Sequence, residues 1–157
     1  MINLLGQFNC KADTKGRVML PSVLKKQLAP VLNSGFVLKR SMFQHCLELH
    51  PMEYWNDISK QLREQNSFEK ANNTFFRIYT AGLTPVEIDG TGRLQIPKNL
   101  VEFAGIGKEV VLTCSAGFIE VWDKESYEKA IDVSDEEVAK MVEDAMGGKK
   151  PKENELP

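Results

Sequence analysis

The stretch "DTKGRVMLPSVL" (residues 13–24) returns 76 residues later as "DGTGRLQIPKNL" (residues 89–100). Each copy begins with an acidic residue and a glycine-containing turn. In each, an arginine stands four positions after the acid, followed by a short apolar run and a proline. Asp13 and Asp89 can accept hydrogen bonds from the backbone of their own turns, and Gly16 and Gly92 can take the positive φ that closes them. Around the first turn, "LLGQFNCKA" and "RVML" read as strands. Pro21 fits the first turn of a helix with Leu24 and Leu28 on one face. Around the second, "PVEI" and "RLQI" are the strands, and Pro97 opens a helix that buries Leu100, Val101 and Ala104 and stops at Gly105. Each copy is a strand, turn, strand, helix unit.

The likeness continues beyond the helices. "GFVLKR" and "CLELHPMEYW" are answered by "KEVVLT" and "FIEVWDKESY", the later pair displaced by 72 residues. Leu47 and Leu49 then match Ile119 and Val121, and His50 falls where Trp122 falls, which favours packing over chemistry for this histidine. Between the repeats, residues 51–82 are helix-permissive and free of proline after Pro51. One or two helices are expected there, burying Trp55, Ile58, Leu62, Phe68, Phe75 and Phe76. In "SDEEVAKMVEDAM", Ser134 is an N-cap with Glu137 three residues on, giving a short acidic helix ended by Gly147 and Gly148. "KKPKENELP" reads as a mobile tail. A solvated extension accounts for it, with partner binding as the other reading.

Composition excludes several classes. The 157 residues are 42% hydrophobic and 27% charged, which suits one or two small globular domains. No window approaches the ~20 apolar residues of a membrane helix, and no basic leader precedes an apolar core, so a cytoplasmic protein is expected. Cys10, Cys46 and Cys114 form neither a disulfide set nor a metal pair and are read as buried apolar residues in a reducing compartment. His45 and His50 lack partners at metal-ligating spacing. No nucleophile motif, P-loop or dinucleotide turn is present, so neither an enzyme nor a cofactor, metal or small-molecule substrate is expected.

Charge is unevenly divided. Residues 1–80 hold 11 Lys or Arg against 6 Asp or Glu, whereas residues 81–157 hold 9 against 16. The first half can meet a polyanion locally, although an accidental partition gives the same sums. The turns are the better pointer. An Asp and an Arg four apart on a hairpin either lock the turn or pre-aim a guanidinium, a group that reads phosphates and guanine edges in bidentate fashion.

With both motifs in view, the chain resembles the MraZ family, whose members carry two SpoVT-AbrB-type swapped-hairpin halves and a D-x-x-x-R motif in each. The resemblance runs from about Leu4 to Tyr127 and includes "CLELHP", "FFRIYTAG" and "EVWD". "TCSAGF" departs from the glycine-valine turn associated with the family. The resemblance implies an α+β fold of two tandem AbrB-like β-rich halves with connecting helices and a pseudo-twofold internal repeat. Expected boundaries are 1–54 and 83–131 for the halves, 55–82 for the helical connector, and 132–157 for the acidic helix and tail.

It further implies a nucleoid-associated, DNA-binding transcriptional regulator of the cell-division and cell-wall gene cluster. Such a regulator, a repressor in this reading, would bind direct repeats in double-stranded DNA upstream of its own operon as a ring-shaped homo-oligomer. Carried onto this chain, Arg17 makes base or phosphate contact, Lys15 and Lys11 add phosphate attraction, and Arg93 does so with less support because Thr91 stands where the first turn has Lys15. Asp13, Asp89, Gly16 and Gly92 orient the motifs. An antitoxin-like DNA-binding protein that also holds a partner protein is the alternative.

Overall fold

Both repeats form the units expected of them. The structure, a computed structural model, describes residues 2–65, 68–115 and 117–147. The first repeat contains β1 (Gln7–Lys11), β2 (Arg17–Met19), α1 (Ser22–Leu28), β3 (Phe36–Arg40) and β4 (Leu47–Pro51), with a 3-10 turn (Ala29–Ser34) between α1 and β3. Helices α2 (Met52–Arg63) and α3 (Lys70–Tyr79) follow. The second repeat supplies β5 (Thr84–Val86), β6 (Arg93–Gln95), α4 (Lys98–Ala104), β7 (Glu109–Ser115) and β8 (Phe118–Asp123). Pro21 and Pro97 sit one residue ahead of their helices, at the cap, and Gly105 closes α4 in the left-handed conformation. Of the hairpin "TCSAGF", Ala116 lies outside the described residues, and Ser115 pairs with Phe118 across it.

The repeats do not fold side by side; they interlock. The larger sheet runs β1-β7-β8-β4-β3-β5, all antiparallel, so β1 of the first repeat closes onto β7 of the second and β5 of the second onto β3 of the first. Reading the order from either edge gives equivalent strands of the two repeats. Pro85 lies on an edge strand, where a missing N–H is tolerated. Strands β2 and β6 form a separate two-stranded ribbon, centred on Val18 opposite Leu94. At the centre of the six-stranded sheet, Glu48 faces Glu120. These two pairs mark the pseudo-twofold axis of an α+β swapped-hairpin fold.

Burial follows from this interlocking. Val18 and Leu94 point from the ribbon into a core shared with Leu24 and Leu28 of α1, Leu100 and Ala104 of α4, and the sheet residues Phe36, Leu38, Leu47, Leu49, Leu112, Ile119 and Val121. Val101 is half-buried at its rim. Of the three free cysteines, Cys46 is fully buried and Cys10 and Cys114 partly so. Burial pushes the Cys46 thiol up to about 12 and Cys10 to about 11, as expected for inert thiols.

The opposite face of the sheet holds a charge cluster that the strand pattern does not announce. Lys39 is fully buried; its ammonium lies 3.2 Å from Glu48 Oε1, donates to the Arg40 carbonyl at 2.8 Å and sits 4.3 Å from the Tyr79 ring centroid. His50, also fully buried, places Nε2 2.9 Å from Glu48 Oε1 and stacks on Phe118 at 4.8 Å. The packing role read for His50 holds, with a carboxylate contact added.

The connector needs correction. Trp55 is buried and Ile58 and Leu62 are half-buried, but Phe75 and Phe76 are 40% and 42% exposed and Phe68 is 97% exposed. Helix α3 has no buried residue at all. An apolar stripe at helical spacing specifies that a face avoids water; it does not specify that the covering surface belongs to the same chain.

Residues 127–147 belong to a second unit. Helix α5 (Lys124–Ile131) runs into it, and α6 (Asp135–Val142) and a π-type turn (Glu143–Gly147) follow. Ser134 Oγ accepts from the Glu137 N–H at 3.1 Å, the cap read from the sequence. Gly148 and the tail lie outside the described residues.

Candidate nucleic-acid interface

The two polar turns are built alike. Gly16 N–H donates to the Asp13 carbonyl at 3.0 Å and Gly92 N–H to the Asp89 carbonyl at 2.9 Å. Asp13 Oδ1 accepts the backbone N–H groups of Lys15 and Arg17, each at 2.9 Å, and Oδ2 accepts Arg17 Nε at 2.7 Å. Asp89 Oδ1 accepts from Thr91 N and Arg93 N at 3.0 and 2.9 Å, and Oδ2 from Arg93 Nε at 3.1 Å. The Thr91 hydroxyl adds a further bond to Asp89 Oδ1 at 2.8 Å.

Each aspartate thus spends its oxygens on the turn and on one guanidinium nitrogen. The Arg17 backbone hydrogen bond and ion pair hold the Asp13 carboxyl below the usual carboxylate range. Asp89 is lowered further, by the Arg93 backbone bond and the Thr91 hydroxyl. Binding through Nε leaves the terminal amino groups of both arginines without a hydrogen bond among the described residues. Lock and presentation are one arrangement.

The ribbon then aims both arginines the same way. Arg17 pairs in register with Gln95, and Met19 with Arg93. Alternation along a strand places Val18 and Leu94 inward and Arg17, Met19, Arg93 and Gln95 together on the other face, the arginines as diagonal neighbours. Their side chains are 36% and 39% exposed.

The turns are tied to each other's repeats. Ile96 N–H donates to the Gly16 carbonyl and Leu20 N–H to the Gly92 carbonyl, both at 2.9 Å. Gly16 and Gly92 have φ of +79° and +87° and are buried, as the sequence requires. Lys15 stands exposed on the first turn, its carbonyl accepting the Gln95 side-chain amide at 2.5 Å. Lys11 is separate from this group. It ends β1 on the large sheet, opposite Glu109 in register.

One cation near the second turn escaped the sequence reading. Lys25 of α1 lies over Gly92, so that a Cβ built there would come within 2.5 Å of Lys25 Cδ and 2.9 Å of Nζ. The same position over Gly16 is taken by Val101, whose Cγ2 would stand 3.3 Å away. The offset of 76 already aligned Lys25 with Val101, but only the interlocked topology shows that each covers the other repeat's turn.

Among the described residues no set of three or more His, Cys, Asp or Glu is placed to hold a metal ion, and no helix is long and apolar enough to cross a membrane.

Comparison with known proteins agrees with the repeat. The family model described as "MraZ protein, putative antitoxin-like" matches residues 4–78 and again 80–147. A protein of Christiangramia forsetii named Transcriptional regulator MraZ is 53% identical over 147 residues, which cover 94% of this chain and 95% of the relative. One of the same name from Flavobacterium psychrophilum is 50% identical, covering 94% of each chain, and one from Halothermothrix orenii is 34% identical over 89% of this chain and 96% of its own. With both repeats matched and the paired Asp-Arg turns intact, the chain belongs to the MraZ family.

Proposed function

We propose that the protein is a DNA-binding transcriptional regulator that presents Arg17 and Arg93 to double-stranded DNA from one face of the β2-β6 ribbon. The observation that carries this reading is the pair of matched Asp-Arg clamps whose arginines are diagonal neighbours on a single face of the ribbon. Each clamp fixes a guanidinium by Nε and leaves its amino groups available for phosphate oxygens or guanine edges. The aspartates orient, since a carboxylate beside phosphate is repelled, and Lys15 adds phosphate attraction. The relatives' shared name, Transcriptional regulator, supports the same assignment.

The finer reading is a repressor of the cell-division and cell-wall gene cluster, acting at the nucleoid in the cytoplasm. It binds direct repeats upstream of its own operon as a ring-shaped homo-oligomer. Several copies engaging repeated sites convert a weak single contact into useful affinity. Self-assembly is supported by the apolar side chains that α3 leaves exposed, Phe75, Phe76 and Ile78.

Fluorescence anisotropy tests the reading: a labelled duplex from upstream of the gene, titrated with wild type and Arg17→Ala at two salt concentrations. Tight, salt-sensitive binding lost in a variant of unchanged oligomeric state is the expected result. Equal binding by both proteins would remove Arg17 from the interface.

A further inference from the structure

We propose that Lys25, carried on α1 of the first repeat, is the phosphate-contacting lysine of the second motif, delivered across the swap to the place where that motif's own turn has none. This inference rests on the DNA reading above and assigns a residue that neither D-x-x-x-R motif contains.

Four observations carry it. First, the two turns differ in charge at one position, Lys15 in the first and Thr91 in the second, and Thr91 has its hydroxyl committed to Asp89 at 2.8 Å. Second, the bond from Leu20 N–H to the Gly92 carbonyl brings the end of β2, and so the start of α1, against the second turn. The Lys25 stem lies on Gly92 because a glycine there leaves room for it. Third, the matching position over the first turn is Val101, which covers Gly16 with apolar atoms alone. Charge is therefore exchanged between the two places: lysine on the turn and valine over it in the first motif, threonine on the turn and lysine over it in the second.

Fourth, the Lys25 ammonium makes no ion pair or hydrogen bond among the described residues, although the stem is half-buried. Its ammonium, like its stem, stands beside Gly92 of the second turn, and without a partner there it is a point charge carried at that motif. Phosphate recognition asks for that and needs no fork geometry. Each Asp-Arg clamp is then accompanied by one lysine, and the ribbon offers two arginines and two lysines to the same polyanion.

The experiment compares wild type, Lys25→Met, Lys25→Arg, Lys26→Met and Lys25→Met/Thr91→Lys. Methionine keeps the covering stem and removes the charge, and Lys26, exposed on the same helix, is the charge-matched control. Anisotropy is measured across a salt series on a labelled upstream duplex and on a scrambled duplex of equal length, with thermal melting and oligomer mass as controls. Lys25→Met is expected to keep fold and mass and to weaken binding to both duplexes. Its slope of log K against log salt falls by about 0.9 per second motif engaged. Lys25→Arg and the Thr91→Lys double variant restore that slope, and Lys26→Met leaves it unchanged.

A slope unchanged in Lys25→Met, or equally reduced in Lys26→Met, overturns the proposal while leaving the DNA reading intact. Failure of wild type to bind either duplex overturns both. In that case Arg17→Ala and Arg93→Ala also show no difference, which separates it from failure of Lys25 alone.

Discussion

Glu48 and Glu120 stand directly opposite each other across β4 and β8, two carboxylates meeting on the pseudo-twofold axis. They are resolved unequally. Glu120 Oε1 accepts from the Thr113 hydroxyl at 3.2 Å and the Trp122 indole at 3.0 Å, both neutral, whereas Glu48 has the Lys39 ammonium and His50. Like charges facing across a sheet are destabilising, and Lys39 is the cation that offsets them. Burial opposes ionisation of Glu48, yet the His50 hydrogen bond and the Lys39 charge prevail and hold its carboxyl below the usual range. Burial likewise lowers Lys39.

Removing Lys39 should therefore be far more damaging than its position on a strand suggests. Lys39→Met leaves Glu48 without its counter-ion and is expected to destabilise by about 3 kcal/mol, the scale of a buried pair broken on one side. Lys39→Met/Glu48→Gln should recover much of the loss. Urea denaturation of the two variants checks this, and equal midpoints for Lys39→Met and wild type would remove the counter-ion role.

The lowered carboxyls set the acid limit. Asp13, Asp89 and Glu48 all titrate below their ordinary values of 3.8, 3.8 and 4.5. A depressed acid contributes stability that is complete above its unfolded value and is lost as pH falls through the folded one. Melting temperature is thus expected to hold down to about pH 5 and to decline below pH 4. The double variant Asp13→Asn/Asp89→Asn should start lower and decline less steeply, as followed by circular dichroism.

The two turn glycines should differ in tolerance. Alanine at either position is strained by the positive φ, by about 1 kcal/mol. At Gly16 the added Cβ also meets the Ile96 carbonyl oxygen at 2.9 Å, which is backbone, while at Gly92 it meets the end of a lysine stem that can swing away. Gly16→Ala should lower the melting temperature more than Gly92→Ala. The reverse order would mean that the Lys25 stem is held more rigidly than the ribbon.

Cysteine reactivity offers a fourth check. With Cys46 fully buried and its thiol raised to about 12, native protein at pH 8 should leave Cys46 unmodified by iodoacetamide while unfolded protein reacts at all three cysteines. Mass spectrometry reads the sites directly.

Substitution of the exposed face of α3 tests assembly. Phe76→Ser/Ile78→Ser takes nothing from the chain's own core, because α3 buries no residue in it. Light scattering should show a smaller particle than wild type.

Much of this was legible in the chain because local chemistry decides it. Asp13, Gly16 and Arg17 can build only a few turns, and the same spacing at Asp89, Gly92 and Arg93 doubles the signal. Leu24, Leu28 and Leu100 follow helical periodicity into the core. What stayed hidden crosses between repeats. Lys25 reads as an ordinary helix-surface lysine until Leu20 is seen bonded to Gly92. Lys39 sits in "GFVLKR" with nothing in its neighbourhood to mark it as buried; the cover comes from Tyr79, forty residues on. Phe75 and Phe76 misled in the opposite sense, since periodicity names a face and not its partner.

The exchange of edge strands also bears on synthesis. Strand β1 leaves the ribosome about a hundred residues before β7, the strand it must pair with. At ~5–20 residues per second that interval is roughly 5 to 20 s. Throughout it, the first repeat carries unpaired strand edges that a neighbouring nascent chain on the same message can fill with its own equivalent strands. Close ribosome spacing therefore favours exchange between chains over closure within one. Two halves cut apart near residue 80 and expressed together should find each other and rebuild the sheet, whereas either half alone has no finished edge to fold against.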